Sequence, residues 1–248
     1  MLYVSHSLMS RTKSVRYNAA IDEPLLIQSG KEFFENCKGK RRSDYFGNTH
    51  PIVLELACGR GEYTVGLWQI YPEKNFIGVD VKGERMMMGI REYRAQVSNF
   101  TSTHSIVESW SRNSNIAFLR TIIHHIDRYF APGEVDEIWI IHPDPRPKWH
   151  DERRRITSPR FLKMYHDILK LWGLLRLKTD DDGMSEYSKQ QIENIEFEDE
   201  KWFELLNHTK DLSSSLLAVD HHGIETHYGK MFIAEGRTIK YGLRRKIR

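Results

Sequence analysis

Cysteine is nearly absent: two thiols, Cys37 and Cys58, stand among 248 residues. Two thiols cannot cage a metal by themselves, and nothing in their placement suggests a disulfide framework, so the cytoplasm is the expected compartment. Long apolar runs are missing as well. No uninterrupted stretch of apolar or aromatic residues exceeds four, whereas a spanning helix needs about 20 predominantly apolar positions, and no membrane association is expected. Met1–Lys13 holds no apolar core followed by a small-residue cleavage site, so no signal peptide is read there. Internal repeats are lacking too. What remains is enough chain for one large α/β domain, with 29% charged residues giving a polar surface.

Acids are absent from particular stretches, and that matters more than the net charge of +3. Gly236–Arg248 carries six basic residues and no acid, Met1–Asn18 carries Arg11, Lys13 and Arg16 and no acid, and seven bases between Arg146 and Lys163 face only Asp151 and Glu152. Asp180–Glu204 reverses this, with ten acids against Lys189 and Lys201. If folding gathers the basic stretches on one face, they present a strong field to a polyanion such as RNA; solvated faces and a frayed tail are the alternative.

Residues 1–50 show no clear periodicity and read as a basic extension, leaving 51–248 as the domain. Ile52–Leu56 predicts a strand, Ala57–Gly61 a turn, Glu62–Ile70 a helix, Asn75–Asp80 a second strand and Gly83–Val97 a second helix. Ile116–Leu119 and Glu137–Ile141 predict two further strands around a helix near Thr121–Phe130. Ser158–Trp172 predicts a helix with Ser158 as cap and Pro159 at its first position, closed by Gly173 before a strand at Leu174–Thr179. Met231–Ala234 and Thr238–Leu243 predict the last two strands, and the Ser/Thr/Asn-rich Thr101–Asn115 a loop. Strands alternating with helices imply a mostly parallel sheet covered on both faces, with an antiparallel C-terminal strand.

Two places carry chemistry. After the first strand runs Glu55-Leu-Ala-Cys-Gly-Arg-Gly61, a turn whose glycines let backbone approach a ligand closely. Asp80 ends the next strand, 19 residues after Gly61, where a carboxylate can accept from both hydroxyls of a ribose. This resembles the E-x-G-x-G-x-G arrangement of S-adenosylmethionine methyltransferases, which implies a Rossmann-like fold of that class, with Ala57 in place of the first glycine. Glu55 is expected to hold the cofactor's amino-acid or ribose end. The second place is His142-Pro-Asp-Pro-Arg-Pro-Lys-Trp-His150, where three alternating prolines stiffen the chain around Asp144 at the carboxyl end of a strand. A cap or an ion pair to Arg146 or Lys148 is the bland reading of that acid.

This loop is similar to the P-D-P-[W/Q]-x-K, then R-H-x-K-R-R, signature of the bacterial tRNA (guanine-N7)-methyltransferase family. The likeness continues through Phe161–Leu169, Gly173, Leu177-Lys-Thr-Asp180 and Thr226-His-Tyr228, in order, over about Ile52–Gly236, and extends more weakly to residues 31–50. It implies transfer of a methyl group from S-adenosylmethionine to guanine N7 in tRNA. Glu55, Ala57, Gly59, Gly61, Asp80 and Asp144 would border the cofactor. Asp144 would be the catalytic residue, free also to accept from guanine N1–H and the amino group. Lys148, Asp180 and Thr226 would bind substrate, and Arg153, Arg154 and Arg155 would contact phosphates, which position RNA without reading sequence. For Asp180 a strand-end cap beside Asp181 and Asp182 is the alternative. The chain departs from the pattern at Ala57, at His142 before Pro143, at Arg146, at His150 with Asp151 and Glu152 following, at Gly229 in place of the motif's glutamate, and in the lack of any acid over 119–126. Two other readings stay open: a methyltransferase acting on a small molecule, and an RNA-binding protein with a decayed cofactor site. The adjacent pairs His124-His125 and His221-His222 lack partners at ligand spacing, so no metal is expected. Monomer and homodimer are equally open.

Overall fold

The computed structural model describes residues 23–100, 114–197 and 200–248. Ten strands are β1 (Leu26–Ile27), β2 (Ile52–Leu56), β3 (Asn75–Asp80), β4 (Ile116–Arg120), β5 (Val135–Ile141), β6 (Leu169–Thr179), β7 (Glu196–Phe197), β8 (Glu200–Lys201), β9 (Phe203–Thr209) and β10 (Lys240–Lys246). The helices are α1 (Glu32–Glu35), α2 (Glu62–Ile70), α3 (Gly83–Phe100), α4 (Ile126–Tyr129), α5 (Pro159–Ile168), α6 (Asp182–Asn194) and α7 (His227–Ala234). β2, β3 and α2 fall on their predicted residues. β2 is buried at every position, as expected of a strand in a parallel sheet covered on both faces.

Eight strands form one sheet in the order β1-β4-β3-β2-β5-β6-β10-β9. All neighbours from β1 to β6 are parallel, and β10 runs antiparallel to both β6 and β9. The chain winds outward from β2 through β3 to β4, then returns to lay β5 on the other side of β2. The carboxyl ends of β2 and β5 therefore flank a topological switch point, the place where open α/β sheets bind ligands.

Residues 23–50 correct the reading of an appended extension. β1 pairs in parallel with β4, Leu26 opposite Phe118, and Leu25, Leu26, Phe34, Tyr45 and Phe46 are all buried in the domain core. Arg41, also buried, donates through Nε to the Tyr129 carbonyl. These contacts reach about ninety residues along the chain, which local patterning cannot reveal. Thr101–Asn115 falls outside the described residues except for Ser114 and Asn115.

Three other expectations are corrected. The helix predicted to run to Trp172 stops at Ile168, because Leu169 enters the sheet opposite Val135. Trp172 then adopts φ 65° in a bulge, so Leu171 and Trp172 stay half-exposed instead of continuing an apolar helix face. Thr121–Phe130 forms a single 3₁₀ turn, Ile123–His125, followed by the short α4. Met231–Ala234 is the last turn of α7, not a strand. A four-residue apolar run does not distinguish the two, and the cap decides: Thr226 Oγ1 accepts from the Gly229 amide at 3.0 Å. The helix closes with Gly236 at φ 76°, its amide bonded to the Ile233 carbonyl and the Arg237 amide to that of Phe232, a Schellman ending.

Candidate active site

A two-lobed cleft opens at the switch point. One lobe, about 460 Å³, is bordered by Glu55, Gly59, Asp80, His142, Asp180 and Thr226 among others. The other, about 270 Å³, has walls of Val81, Ile122, Ile123, His124 and Phe161. Ala57, Asp80, Pro143 and Asp144 border both. One lobe is rich in carboxylates and the other is mostly apolar, which suits an elongated ligand with a flat end and a cationic or hydroxyl-bearing end.

The turn after β2 is held from two sides. Asp80 Oδ2 accepts from the Gly59 amide at 3.0 Å and Oδ1 from the Lys82 amide at 2.8 Å, so the acid that ends β3 fixes the loop it faces. Gly61, at φ 71°, admits no side chain, since a Cβ there would lie 2.4 Å from the Phe118 ring. A Cβ on Gly59, φ 56°, would meet nothing within 4 Å, so that glycine leaves the cleft wall open. Ala57 sits at φ 59°, paying the left-handed conformation that a glycine would adopt freely. Glu55 is buried beneath the turn. Its Oε2 accepts from the Thr64 amide at 2.7 Å and from the Thr64 hydroxyl. Burial outweighs those bonds and pushes the carboxyl up to about 8.

Asp144 stands at the meeting of the two lobes with its side chain 68% exposed. The pairing with Arg146 that the sequence allowed is present: Oδ1 accepts from the Arg146 amide at 3.3 Å, and Oδ2 lies 3.6 Å from Nη2. The loop keeps its shape through Arg155, whose Nε donates to the Arg146 carbonyl and Nη2 to that of Pro147, while the guanidinium lies over the Tyr187 ring. Arg155 thus staples the loop. Arg154 pairs with Asp151 at 3.0 Å and borders the apolar lobe. Lys148 and Arg153 are exposed, and Lys148 borders neither lobe.

Asp180 directly follows β6, with its side chain 9% exposed. Oδ1 accepts from His142 Nδ1 at 3.2 Å, Oδ2 from Arg237 Nη1 at 2.8 Å, and its carbonyl from Lys240 Nζ. Burial raises this carboxyl, but the His142 bond, a backbone bond and Arg237 together hold it below the ordinary range. The cap for α6 is Asp181, which accepts from the Met184 amide, so the strand-end-cap alternative belongs to the neighbour. Arg237 was grouped only with a basic tail; the signal for it lies in Gly236, which turns the chain after α7 toward β6. The apolar walls at Ile122, Ile123 and Phe161 were likewise missed, because wall residues carry no motif. At the position where the pattern lacks an acid, His124 packs edge-on against Phe161 at 4.6 Å, and burial, then nearby Arg160, lowers its pKa.

The basic tail is not a free arm. It forms β10, where Lys240 and Arg244 are buried, Arg245 pairs with Glu204, and Lys246 donates to the His166 and Leu169 carbonyls. Trp139 is core, whereas Trp149 is 85% exposed on the loop beyond Asp144. Among the described residues no cluster of His, Cys, Asp or Glu could hold a metal ion, and no helix is long and apolar enough to cross a membrane.

A family model described as "Putative methyltransferase" matches residues 49–241. A tRNA (guanine-N(7)-)-methyltransferase of Bacteroides thetaiotaomicron is 43% identical over 206 residues, covering 83% of this chain and 73% of the relative. One from Cytophaga hutchinsonii is 34% identical across 94% of this chain and 96% of its own length. The chain belongs to the tRNA (guanine-N7)-methyltransferase family. Among solved structures, the 16S rRNA methyltransferase KamB matches with a TM-score of 0.56 at 13% identity, covering 85% of this chain and 92% of that one, a likeness of fold. Within the family pattern three departures share one backbone feature: Ala57, His142 and Arg146 all have positive φ, at 59°, 46° and 44°. The glycine turn and the proline loop follow their paths here at the cost of local strain.

Proposed function

We propose that this enzyme transfers a methyl group from S-adenosylmethionine to N7 of a guanine in tRNA, acting in the cytoplasm. The observation that carries the reading is Asp144 at the junction of the two lobes, with the Asp80 loop on one side and Asp180 on the other. The residues fit the cofactor. Asp80 keeps lone pairs for ribose hydroxyls, Glu55 supplies a buried carboxyl for a cationic amino-acid end, and Val81, Ile122, Ile123 and Phe161 line a slot for adenine. When bound, the cofactor supplies an electrophilic methyl on a sulfonium.

Guanine N7 has a lone pair and no proton, so no general base is required. The chain's own task is alignment and exclusion of water. The ring becomes cationic as the bond forms, and the Asp144 carboxylate opposes that charge. Asp180, deeper and ionised, accepts from the base. Thr226 borders the same lobe, its oxygen spent on the α7 cap and its proton free to donate. Lys148, Arg153 and Arg154 are exposed cations on this loop that can meet phosphates. Asp144→Ala should lower kcat for tRNA methylation by about 100-fold or more while the unfolding midpoint holds; kcat within threefold of wild type would remove Asp144 from the reaction.

A further inference from the structure

The His142 side chain is only 3% exposed, yet folding alone gives no reason for an imidazole there. Its backbone is left-handed at φ 46°, a region uncommon for any residue with a side chain, though Asn, Asp and His enter it more often than the rest. One ring nitrogen, Nε2, is buried without a hydrogen-bond partner, and buried polar atoms are ordinarily satisfied. The ring packs 5.4 Å from that of Phe232 on α7. On its other side lies Gly229, where a Cβ would make ordinary contact with Nε2 at 3.4 Å and a closer one with Thr226 Oγ1 at 3.1 Å. Two departures from the family pattern, His142 and Gly229, thus lie side by side. What the imidazole does gain is a single bond, Nδ1 to Asp180 Oδ1 at 3.2 Å.

We propose that His142 is a positioning residue that fixes the Asp180 carboxylate for the Watson–Crick edge of the target guanine. The argument rests on the substrate role proposed for Asp180. His142 Nδ1–H engages one carboxylate oxygen and Arg237 the other, so the plane of the group cannot turn, and each oxygen keeps a lone pair. An ionised carboxylate only accepts. Guanine offers two adjacent donors, N1–H and the exocyclic amine, on the edge opposite N7, so a base held this way leaves N7 free to face the methyl group. Adenine presents a lone pair at N1 and would be repelled. The ring that does the holding lies between Phe232 and Gly229.

Asn and Asp both tolerate the left-handed backbone and are nearly the same size, so His142→Asn and His142→Asp separate the donor from the strain. His142→Gly relieves the strain and removes the donor. With unmodified tRNA as substrate, His142→Asn should keep kcat/KM within about threefold, whereas His142→Gly should lose about 10-fold and His142→Asp about 100-fold, the worth of a charge-assisted hydrogen bond and of its reversal. The loss should appear in KM for tRNA, and S-adenosylmethionine binding measured by calorimetry should stay within twofold. Equal activity of the Asn and Asp variants, or wild-type kcat/KM in His142→Gly, would overturn the proposal. Asp180→Asn decides what falls with it: if that variant is impaired while the His142 series is flat, only the positioning role fails, and if it too is unimpaired, the assignment of Asp180 to the base fails.

Discussion

Two residues at the cofactor turn carry a stability cost. Ala57 holds φ 59° where a glycine would be unstrained. Ala57→Gly should therefore raise stability by about 1 kcal/mol, or roughly 2–4 °C in a chain of this length, with methylation retained; a lower melting temperature would show that the methyl group is needed for packing. Glu55 is the second. Its carboxyl, raised to about 8 by burial, keeps in the folded protein a proton that the unfolded chain releases near its ordinary 4.5. The folded state then binds more protons, so this stabilisation is full below about pH 4.5 and is lost as pH rises toward 8. Glu55→Gln keeps an acceptor for Thr64 and removes the titration. Without cofactor, the variant should be more stable than wild type at pH 8 by about 1–3 kcal/mol, with a flatter pH dependence in urea unfolding, and should bind S-adenosylmethionine more weakly. An unchanged pH slope would mean that Glu55 is ionised in the free enzyme.

At the scale of elements, what the sequence made legible was what local patterning encodes. β2, α2 and β3 have turns and apolar runs of their own, and the Asp80 carboxylate follows from them. α7 was misread because Met231–Ala234 fits either period, and only the Thr226 cap and the Gly236 ending resolve it. The His142–Asp180–Arg237 cluster joins residues 38 and 57 positions away from Asp180 or near it in space alone, so no local signal announces it. β1 is two residues long and is a strand only because β4 lies beside it. Its segment nonetheless belongs to the core. Removing residues 1–50 strips Leu25, Leu26, Phe34, Tyr45 and Phe46 from the interior, at about 1.5–3 kcal/mol each for a fully buried side chain, which together approaches or exceeds the whole stability of a domain. The 51–248 fragment should be insoluble or lack a cooperative unfolding transition. A fragment that melts like the full chain would restore the reading of those residues as an appendage.

Across the whole molecule, the charge map differs from the one suggested by runs in the sequence. The C-terminal bases are spent inside the sheet or against Glu200 and Glu204, and Arg155 holds the proline loop, so the cations at the cleft come from other segments: Arg60, Arg85 and Arg237 border one lobe and Arg146 and Arg154 the other, with Lys148 and Arg153 exposed on the loop beyond Asp144. The site is therefore assembled by the switch in strand order, which sets the β2 turn, the β5 loop and the end of β6 around one cavity, more than by any basic run. The central claim is that guanine N7 reacts there. The most direct test is transfer of labelled methyl from S-adenosylmethionine to unmodified tRNA, followed by digestion and identification of the labelled nucleoside. The expected label is in 7-methylguanosine alone, and it should disappear with Asp144→Ala. Label in any other nucleoside, or none in tRNA while the enzyme still binds S-adenosylmethionine, would contradict the account.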